Sequence, residues 1–359
     1  MVYLLINVDN VYSCGNDDGY RREQLSMLQS KFDMKDLGLL GQSLGICVTQ
    51  VPKLHRISIN QTQYIHSLVE RFFPDGIPSR SQRRTLPADS TFASITARAA
   101  GDPEAIKWRQ PCLQLAGCLN WVCRCTRPDI AYPLRLCTRA IQGASDLLYR
   151  NLLKILAYLA HTADWMIHYG PAAHEALLEH LATHAPSFRK NMVMPMDPIT
   201  FADTNGDPDP GVSVMLFLFG GYVSGSIKKL ALVTLSQYES EYFGATVAST
   251  MLMTLGFTLE FYDPPHEKPF LIFCDNKSVC ELAQSNQSSR RLLHVARRIE
   301  YLKERNNDGD IIITFIRTEG NLADIGTKIL GAARFHALCT VIFSRTALTE
   351  GPRIGSSRP

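Results

Sequence analysis

The chain has 359 residues, of which 45% are hydrophobic and 20% are charged, and its formal net charge is +3. This length is sufficient for two or three domains with buried cores, and the small net charge alone predicts no nucleic-acid partner. The ten cysteines form no Cys-x-x-Cys pair. This spacing excludes a zinc ribbon and a secreted disulfide framework, so we expect reduced, mostly buried thiols in an intracellular protein.

The N-terminal segment is apolar but short. It reaches Asp9 too soon for a signal peptide or a membrane span, so we predict neither secretion nor a transmembrane segment. Residues 2–6 are predicted to form a buried strand, which a tight turn at 7–10 connects to a second strand at 11–14. Because the chain opens directly on a core strand, we expect that a preceding segment has been lost.

The rest of the N-terminal half is predicted to be a mixed region followed by a helical one. The pattern predicts a helix at 20–32, paired strands at 44–49 and 56–59, a helix at 61–72, a long connection at 74–107, and a helical block at 108–169 interrupted at 127–129. Residues 170–198 contain four prolines and predict a short helix and a linker. The main domain boundary is therefore expected near residue 197.

The C-terminal half changes to alternating strands and helices. The pattern predicts strands at 199–203 and 212–219, a Gly-Gly hairpin turn leading to 222–224, a third antiparallel strand at 230–235, a helix at 238–259, a strand at 270–274, helices at 276–284 and 294–305, a strand at 311–316 and a helix from 322. Such an order predicts a mixed α/β sheet with helices on its faces. Right-handed crossovers would make Asp203 and Asp275 neighbours.

Four acidic residues lie where predicted strands end or helices begin: Asp203, Glu241, Asp275 and Asp324. Two divalent ions roughly 4 Å apart need several carboxylates to hold them for attack on a phosphodiester. Each acid has a structural alternative, since Asp203 suits a turn, Asp275 an N-cap and Asp324 the first turn of a helix. Together they predict a metal site for nucleic-acid hydrolysis.

Two glutamates compete for the helical position. They differ by roughly 200° around the helix axis, so we expect them to face different ways. Glu241 shares its stripe with Ala245 and Ala248, which predicts the face that packs on the sheet. Glu239 is expected on a wetter face. An unpaired buried carboxylate costs several kcal/mol, which a cation at Glu241 would offset.

The C-terminal half resembles the ribonuclease H domain of Ty1/copia-type retrotransposon polyproteins. The matching stretches are Phe201-Ala-Asp203, Leu235-Ser-Gln-Tyr-Glu-Ser-Glu-Tyr242, Phe273-Cys-Asp-Asn-Lys-Ser-Val279 and Asn321-Leu-Ala-Asp-Ile-Gly-Thr-Lys328. The resemblance implies a ribonuclease H-like mixed five-stranded sheet with flanking helices. It also implies that Asp203, Glu241, Asp275 and Asp324 are catalytic and bind two Mg²⁺ or Mn²⁺ ions.

The first half is similar to the same polyproteins. Phe32-Asp-Met-Lys-Asp-Leu-Gly38, Thr126-Arg-Pro-Asp-Ile130 and Leu156-Ala-Tyr-Leu159 resemble segments that follow the reverse-transcriptase palm. The similarity covers about residues 3–343. It implies a truncated palm end and thumb-like region at 1–75, a mainly helical connection at 76–170, a linker at 171–197, a ribonuclease H-like domain at 198–343 and a disordered tail at 344–359.

Departures from the family pattern bear on activity. The paired-aspartate turn of the palm stands here as Asp9 followed by the neutral Asn10, and the upstream palm strand is missing. We therefore expect no polymerase activity from this chain alone. In the C-terminal half, Gly225 replaces a family tryptophan and Leu230 a glutamine, changes that would weaken substrate handling more than metal binding.

Basic side chains are candidates for contact with an RNA–DNA hybrid or other nucleic acid, whose phosphates dominate affinity. They are Lys228, Lys229, Arg290, Arg291, His294, Arg297, Arg298 and Lys328. A solvated helix face is the alternative for the run 290–305, and a structural role is the alternative for His294. Other polyprotein segments are further candidate partners, and no membrane partner is expected.

Two hypotheses follow. The first is an intracellular, metal-dependent endoribonuclease, in a cytoplasmic particle or the nucleus, that is attached to an incomplete reverse transcriptase. The second is a degenerate element remnant that at most binds nucleic acid. Retention of all four acids favours the first hypothesis, whereas Asn10, Gly225 and Leu230 favour the second.

Overall fold

The structure is a computed structural model, and it describes residues 2–79, 81, 84–99, 101–205, 210–230, 237–260, 269–283 and 296–344. Its N-terminal elements are β1 (Val2–Asn7), β2 (Asn10–Gly15), α1 (Asp18–Lys31), β3 (Gln42–Ser43), β4 (Ile46–Val51), β5 (Arg56–Asn60) and α2 (Thr62–Phe72). The helical part follows with α3 (Pro103–Cys125), α4 (Ala131–Thr138), α5 (Asp146–His161), β6 (Ile167–Tyr169) and α6 (Pro171–His184). The C-terminal part contains β7 (Ile199–Asn205), β8 (Gly211–Leu218), β9 (Gly221–Lys229), α7 (Gln237–Glu260), β10 (Phe270–Cys274), α8 (Lys277–Ala283), α9 (Ala296–Asn307), β11 (Ile311–Phe315) and α10 (Ala332–Ile342).

The N-terminal hairpin lies on the surface. Strands β1 and β2 pair antiparallel, and within the described residues they form a sheet of their own. The prediction of a buried first strand is wrong, because Leu5 is 65% exposed and Ile6 is 70% exposed. A two-stranded ribbon with no further strand beside it leaves both of its faces to solvent. Asp9 and Asn10 lie at the exposed tip of this hairpin.

A second sheet joins distant parts of the N-terminal half. Its strands follow the order β3-β4-β5-β6, and β6 pairs antiparallel with β5 so that Ile57 lies opposite Tyr169. Residues 167–169 were predicted to be helical, and that prediction is wrong. The short Ile-His-Tyr run completes the sheet beside β5, a partner more than a hundred residues earlier that local periodicity cannot reveal.

A buried ion pair organises the helical part. The Arg127 guanidinium donates from Nε to Asp129 Oδ1 at 3.0 Å and from Nη2 to Asp129 Oδ2 at 2.8 Å. Both side chains are at most 1% exposed. The Tyr158 hydroxyl donates to Asp129 Oδ2 at 2.6 Å, and the guanidinium lies 5.1 Å from the Trp165 ring centroid. A charged pair this deep requires such additional partners, so these residues rigidly connect the 3₁₀ turn at 128–130 to α5.

The C-terminal sheet is mixed, as predicted. The strand order among the described residues is β11-β10-β7-β8-β9, with β7, β8 and β9 antiparallel and with β10 and β11 parallel to β7. This confirms the expected ribonuclease H-like α/β fold class. The third antiparallel strand is β9, which ends at Lys229, and the predicted strand residues 231–235 lie outside the described part of the chain.

The predicted helix from residue 322 is also wrong. Leu322–Gly326 form a 3₁₀ turn, and α10 begins only at Ala332. The turn packs directly on β8, because a Cβ atom on Gly326 would lie 2.2 Å from Ser213 Oγ. Such close approach suits a tight turn that ends in glycine.

Both faces of the C-terminal sheet are buried, which the alternation of strand side chains explains. Ala202, Val214 and Ile272 face a core that includes α7 and α9. Phe201, Phe217 and Phe273 face the opposite way, into a core that extends from Ile65 on α2 to Phe343 beyond α10. The helical part of the chain therefore covers one face of the C-terminal sheet.

Helix α7 is long and apolar enough to cross a membrane by length and composition. However, its Ala245, Ala248 and Leu252 are fully buried in the core beside the sheet. One side of this helix is therefore packed against the sheet.

Candidate metal centre

Two central strands bring two of the acids together. Strand β10 lies parallel to β7, and Cys274 is paired in register with Ala202. Asp203 follows Ala202 within β7, and Asp275 follows Cys274 directly after the end of β10. Asp203 is 2% exposed, whereas Asp275 is only partly buried. The carboxyl ends of the parallel strands thus place two acidic side chains at one edge of the sheet.

The 3₁₀ turn brings the third acid to the same edge. Asn321 shapes this turn, because its side chain accepts a hydrogen bond from the Ala323 amide and donates to the Ala202 carbonyl at 2.9 Å. Asp324 lies within the turn and is fully buried. Asp203, Asp275 and Asp324 each offer a carboxylate oxygen, and these three oxygens lie within 4.8 Å of one another.

Helix α7 supplies the fourth acid from the other face of the sheet. Glu241, Cys274 and Asp275 offer ligand atoms that also lie within 4.8 Å of one another, and Cys274 Sγ is 3.8 Å from Glu241 Oε2. The expected exposure of Glu239 is wrong, since it is 5% exposed against 4% for Glu241. Farther along the same stripe of α7, the Arg298 guanidinium of α9 lies 4.9 Å from the Phe243 ring centroid.

The acids share an environment that disfavours negative charge. Burial, followed by the charges of Asp203 and Asp275, raises the pKa of Glu241 to about 9. Burial and the adjacent Asp324 raise the pKa of Asp203 to about 7. Burial also raises the pKa of Asp275 and that of Asp324 above their ordinary values. Confined carboxylates repel each other in this way until protons or cations compensate them.

Two basic side chains contact Asp324. Lys328 Nζ lies 2.7 Å from Asp324 Oδ1 and 3.7 Å from Asp203 Oδ2. Arg334 on α10 donates to Asp324 Oδ2, and the Thr327 hydroxyl donates to Asp203 Oδ2. Lys328 was predicted as a nucleic-acid contact, but its ammonium is directed at the acids. Arg334 was not predicted as a site residue, because it lies ten residues after Asp324 and outside every motif.

The residues present fit divalent cations. The donor atoms are carboxylate oxygens, the ligands that Mg²⁺ and Mn²⁺ prefer. Three of the four side chains are at most 4% exposed, so most of the cluster is shielded from solvent. A doubly charged ion would offset the mutual repulsion that raises the pKa values of these acids.

The predicted nucleic-acid contacts are only partly described. Lys228 and Lys229 are exposed on the edge strand β9, where the register places them two strands from Thr204 and Asn205. This corresponds to roughly 10 Å across the sheet. Arg297 is exposed on α9, whereas Arg298 is partly buried over a phenylalanine ring. Arg290, Arg291 and His294 lie outside the described residues.

The two departures from the family pattern have structural counterparts. A Cβ atom on Gly225 would lie 2.6 Å from the Tyr222 hydroxyl, so Tyr222 fills the space beside the glycine. A tryptophan there would have to displace Tyr222. Leu230 is 3% exposed and contributes to the core beside α7.

Known proteins similar to this chain are transposon polyproteins. It is 27% identical over 347 residues to a retrovirus-related Pol polyprotein from transposon TNT 1-94 of Nicotiana tabacum, covering 94% of this chain and 24% of that protein. It is 24% identical over 346 residues to the Pol polyprotein from transposon RE1 of Arabidopsis thaliana, covering 95% and 22%. The curated homologues are Pol polyproteins of Ty1/copia-type transposons. The chain spans about a quarter of the length of these homologues. No family model matches the chain.

Two solved structures are similar to part of the chain. One is the N-terminal RNase H domain of rv2228c from Mycobacterium tuberculosis, with 16% identity, a TM-score of 0.28, and coverage of 40% of this chain and 97% of that one. The other is LC11-RNase H1 in complex with an RNA/DNA hybrid, with 15% identity, a TM-score of 0.28, and coverage of 35% and 91%.

Proposed function

We propose that residues 198–343 hydrolyse the RNA strand of RNA–DNA hybrids in a reaction that depends on divalent metal ions. The observation that carries this proposal is the convergence of Asp203, Glu241, Asp275 and Asp324, which come from four separate elements. The homology to Pol polyproteins supports a nucleic-acid substrate.

The four acids would hold two Mg²⁺ or Mn²⁺ ions. Bound ions of this kind activate a water molecule and stabilise the leaving oxygen. Asp203 and Asp275 follow the two central strands and would form the base of the site. Glu241 approaches from the α7 side and Asp324 from the turn side, so the acids surround the site from different directions.

Exposed lysines on the edge strand would hold the substrate backbone. Lys228 and Lys229 lie at the same register as the end of β7, close enough for a duplex at the acids to reach them. Such contacts favour any phosphate backbone, so discrimination of a hybrid would depend on duplex shape and on 2′-hydroxyl groups.

The N-terminal hairpin would not support polymerisation. Asp9 lies at the exposed tip, and Asn10 donates from Nδ2 to Asp9 Oδ1 at 3.1 Å. A two-metal polymerase centre requires several carboxylates, and the neutral amide of Asn10 supplies none. Templated primer extension by the full chain would refute this part of the proposal.

The direct test is cleavage of a hybrid labelled on its RNA strand. The full chain should cleave it with Mg²⁺ or Mn²⁺ and not with EDTA. Asp275→Asn retains the size of the side chain but removes a charged ligand, so cleavage should be lost. Glu304→Gln, which changes an exposed acid on α9, is the matched control and should cleave like the wild type. If the wild type binds the hybrid but does not cleave it with either metal, the alternative of a degenerate nucleic-acid-binding remnant replaces this proposal.

A further inference from the structure

The guanidinium of Arg334 lies against the most deeply buried of the four acids. We propose that Arg334 is a positioning residue that orients Asp324 for divalent metal binding. This inference rests on the proposed function. It assigns a role to a side chain on α10 that is separate in sequence from the acid-bearing motifs.

Arg334 connects both turns that border the candidate metal centre. Its Nη2 donates to Asp324 Oδ2 and also to the backbone carbonyl of Thr318. Thr318 opens the turn at 318–320, and Asn321, the residue after this turn, donates from Nδ2 to Asp275 Oδ1 at 3.4 Å. One guanidinium therefore contacts Asp324 directly and also connects α10 to the turn at 318–320.

The helix that carries Arg334 is anchored in the buried core. Phe335, the next residue, packs edge-on against Tyr158, with ring centroids 6.0 Å apart. The Tyr158 hydroxyl is held by Asp129, the partner of the buried Arg127. The α10 backbone beside Arg334 is thus packed, through Phe335, against the helical part of the chain.

Lys328 and Arg334 contact different carboxylate oxygens of Asp324. Lys328 reaches Oδ1 from two residues beyond the turn that contains Asp324, with a flexible side chain that is 39% exposed. Arg334 reaches Oδ2 from a separate helix, with one nitrogen, Nη2, that also donates to the Thr318 carbonyl. Without Arg334, Oδ2 of the fully buried Asp324 would lose this donor, and the side chain could turn away. Loss of an outer hydrogen-bond partner typically weakens metal binding by about 10–100-fold.

The test measures Mn²⁺ binding to the full chain by titration calorimetry, without nucleic acid. Arg334→Gln should weaken binding by about 10–100-fold, and Arg334→Lys should lie between this variant and the wild type. Arg317→Gln removes the same charge from an exposed position near the turn at 318–320, so it is the matched control and should bind like the wild type. Thermal unfolding in EDTA establishes that each variant is folded.

The outcomes separate the two proposals. A wild-type chain that binds no Mn²⁺ refutes the proposed function itself. A wild type that binds Mn²⁺, together with an Arg334→Gln variant that binds it equally well or more tightly, overturns the positioning role and leaves the proposed function intact. If Arg334→Gln does not fold, Arg334→Lys decides: weaker Mn²⁺ binding than the wild type supports the positioning role, and binding equal to or tighter than the wild type overturns it.

Discussion

Glu241 predicts a pH-dependent stability that a neutral isostere should remove. Its pKa is about 9 in the folded protein, against an ordinary value of 4.5, chiefly because of burial and then because of the nearby aspartates. The folded chain therefore binds more protons than the unfolded chain between these two values. The contribution of Glu241 to the free energy of unfolding is therefore fully present below pH 4.5, the ordinary pKa, and is lost as the pH rises towards the folded pKa of about 9.

The size of the effect follows from the shift. Each pKa unit corresponds to about 1.4 kcal/mol. At about pH 7.5 the shift therefore lowers the free energy of unfolding by about 4 kcal/mol relative to its value at low pH. Glu241→Gln keeps the shape of the side chain and cannot ionise. In EDTA at about pH 7.5 the variant should therefore be more stable than the wild type by up to about 4 kcal/mol, and the difference should vanish near pH 4.5.

Urea unfolding of the full chain at both pH values measures this difference. Glu304→Gln changes an exposed acid and should alter the free energy of unfolding by less than about 0.5 kcal/mol at either pH. Saturating Mn²⁺ should then stabilise the wild type more than Glu241→Gln, because the variant lacks a ligand. A Glu241→Gln variant that is equal to or less stable than the wild type in EDTA at the higher pH would refute the reasoning.

Urea unfolding also tests four further expectations. Gly117→Ala should stabilise the chain by about 0.5–1 kcal/mol, because it lies inside α3 with no atom near the new methyl group, and a loss of stability would contradict this. Gly220→Ala should destabilise by more than about 1 kcal/mol, since φ is +79° and the new Cβ would meet the backbone at 2.2 Å; a neutral result would show that the turn relaxes. Arg127→Met should cost about 3–5 kcal/mol by leaving a buried aspartate unpaired, whereas the exposed Arg150→Gln should cost less than about 1 kcal/mol, and equal losses would contradict the distinction. Tyr158→Phe should cost about 1.5–3 kcal/mol through one lost hydrogen bond to a charged group, and an unchanged midpoint would refute this.

Much of the C-terminal sheet could be predicted from the sequence because its signals are local. Apolar runs that end in an acid mark β7 and β10, and the rules for connecting parallel strands place these two side by side. The proximity of Asp203 and Asp275 follows from this order alone. The placement of Glu241 followed from the small residues on its stripe of α7.

What could not be predicted depends on contacts between distant segments. The three-residue strand β6 exists only because β5 lies beside it. Glu239 is buried although its stripe of α7 looks polar in the sequence. Arg334 reaches Asp324 through the placement of α10, which no residue spacing encodes. The division of the chain into domains, with a boundary near residue 197, stays a prediction.

The core between the helical part and the C-terminal sheet limits how this chain can recombine with related transposon sequences. Phe201 and Phe273 of the sheet share this core with residues of α2, α3 and α5. A chimera joined near residue 197 from two diverged sequences would combine apolar surfaces whose substitutions are not complementary. Productive crossovers should therefore transfer the helical part and the sheet as one inherited block.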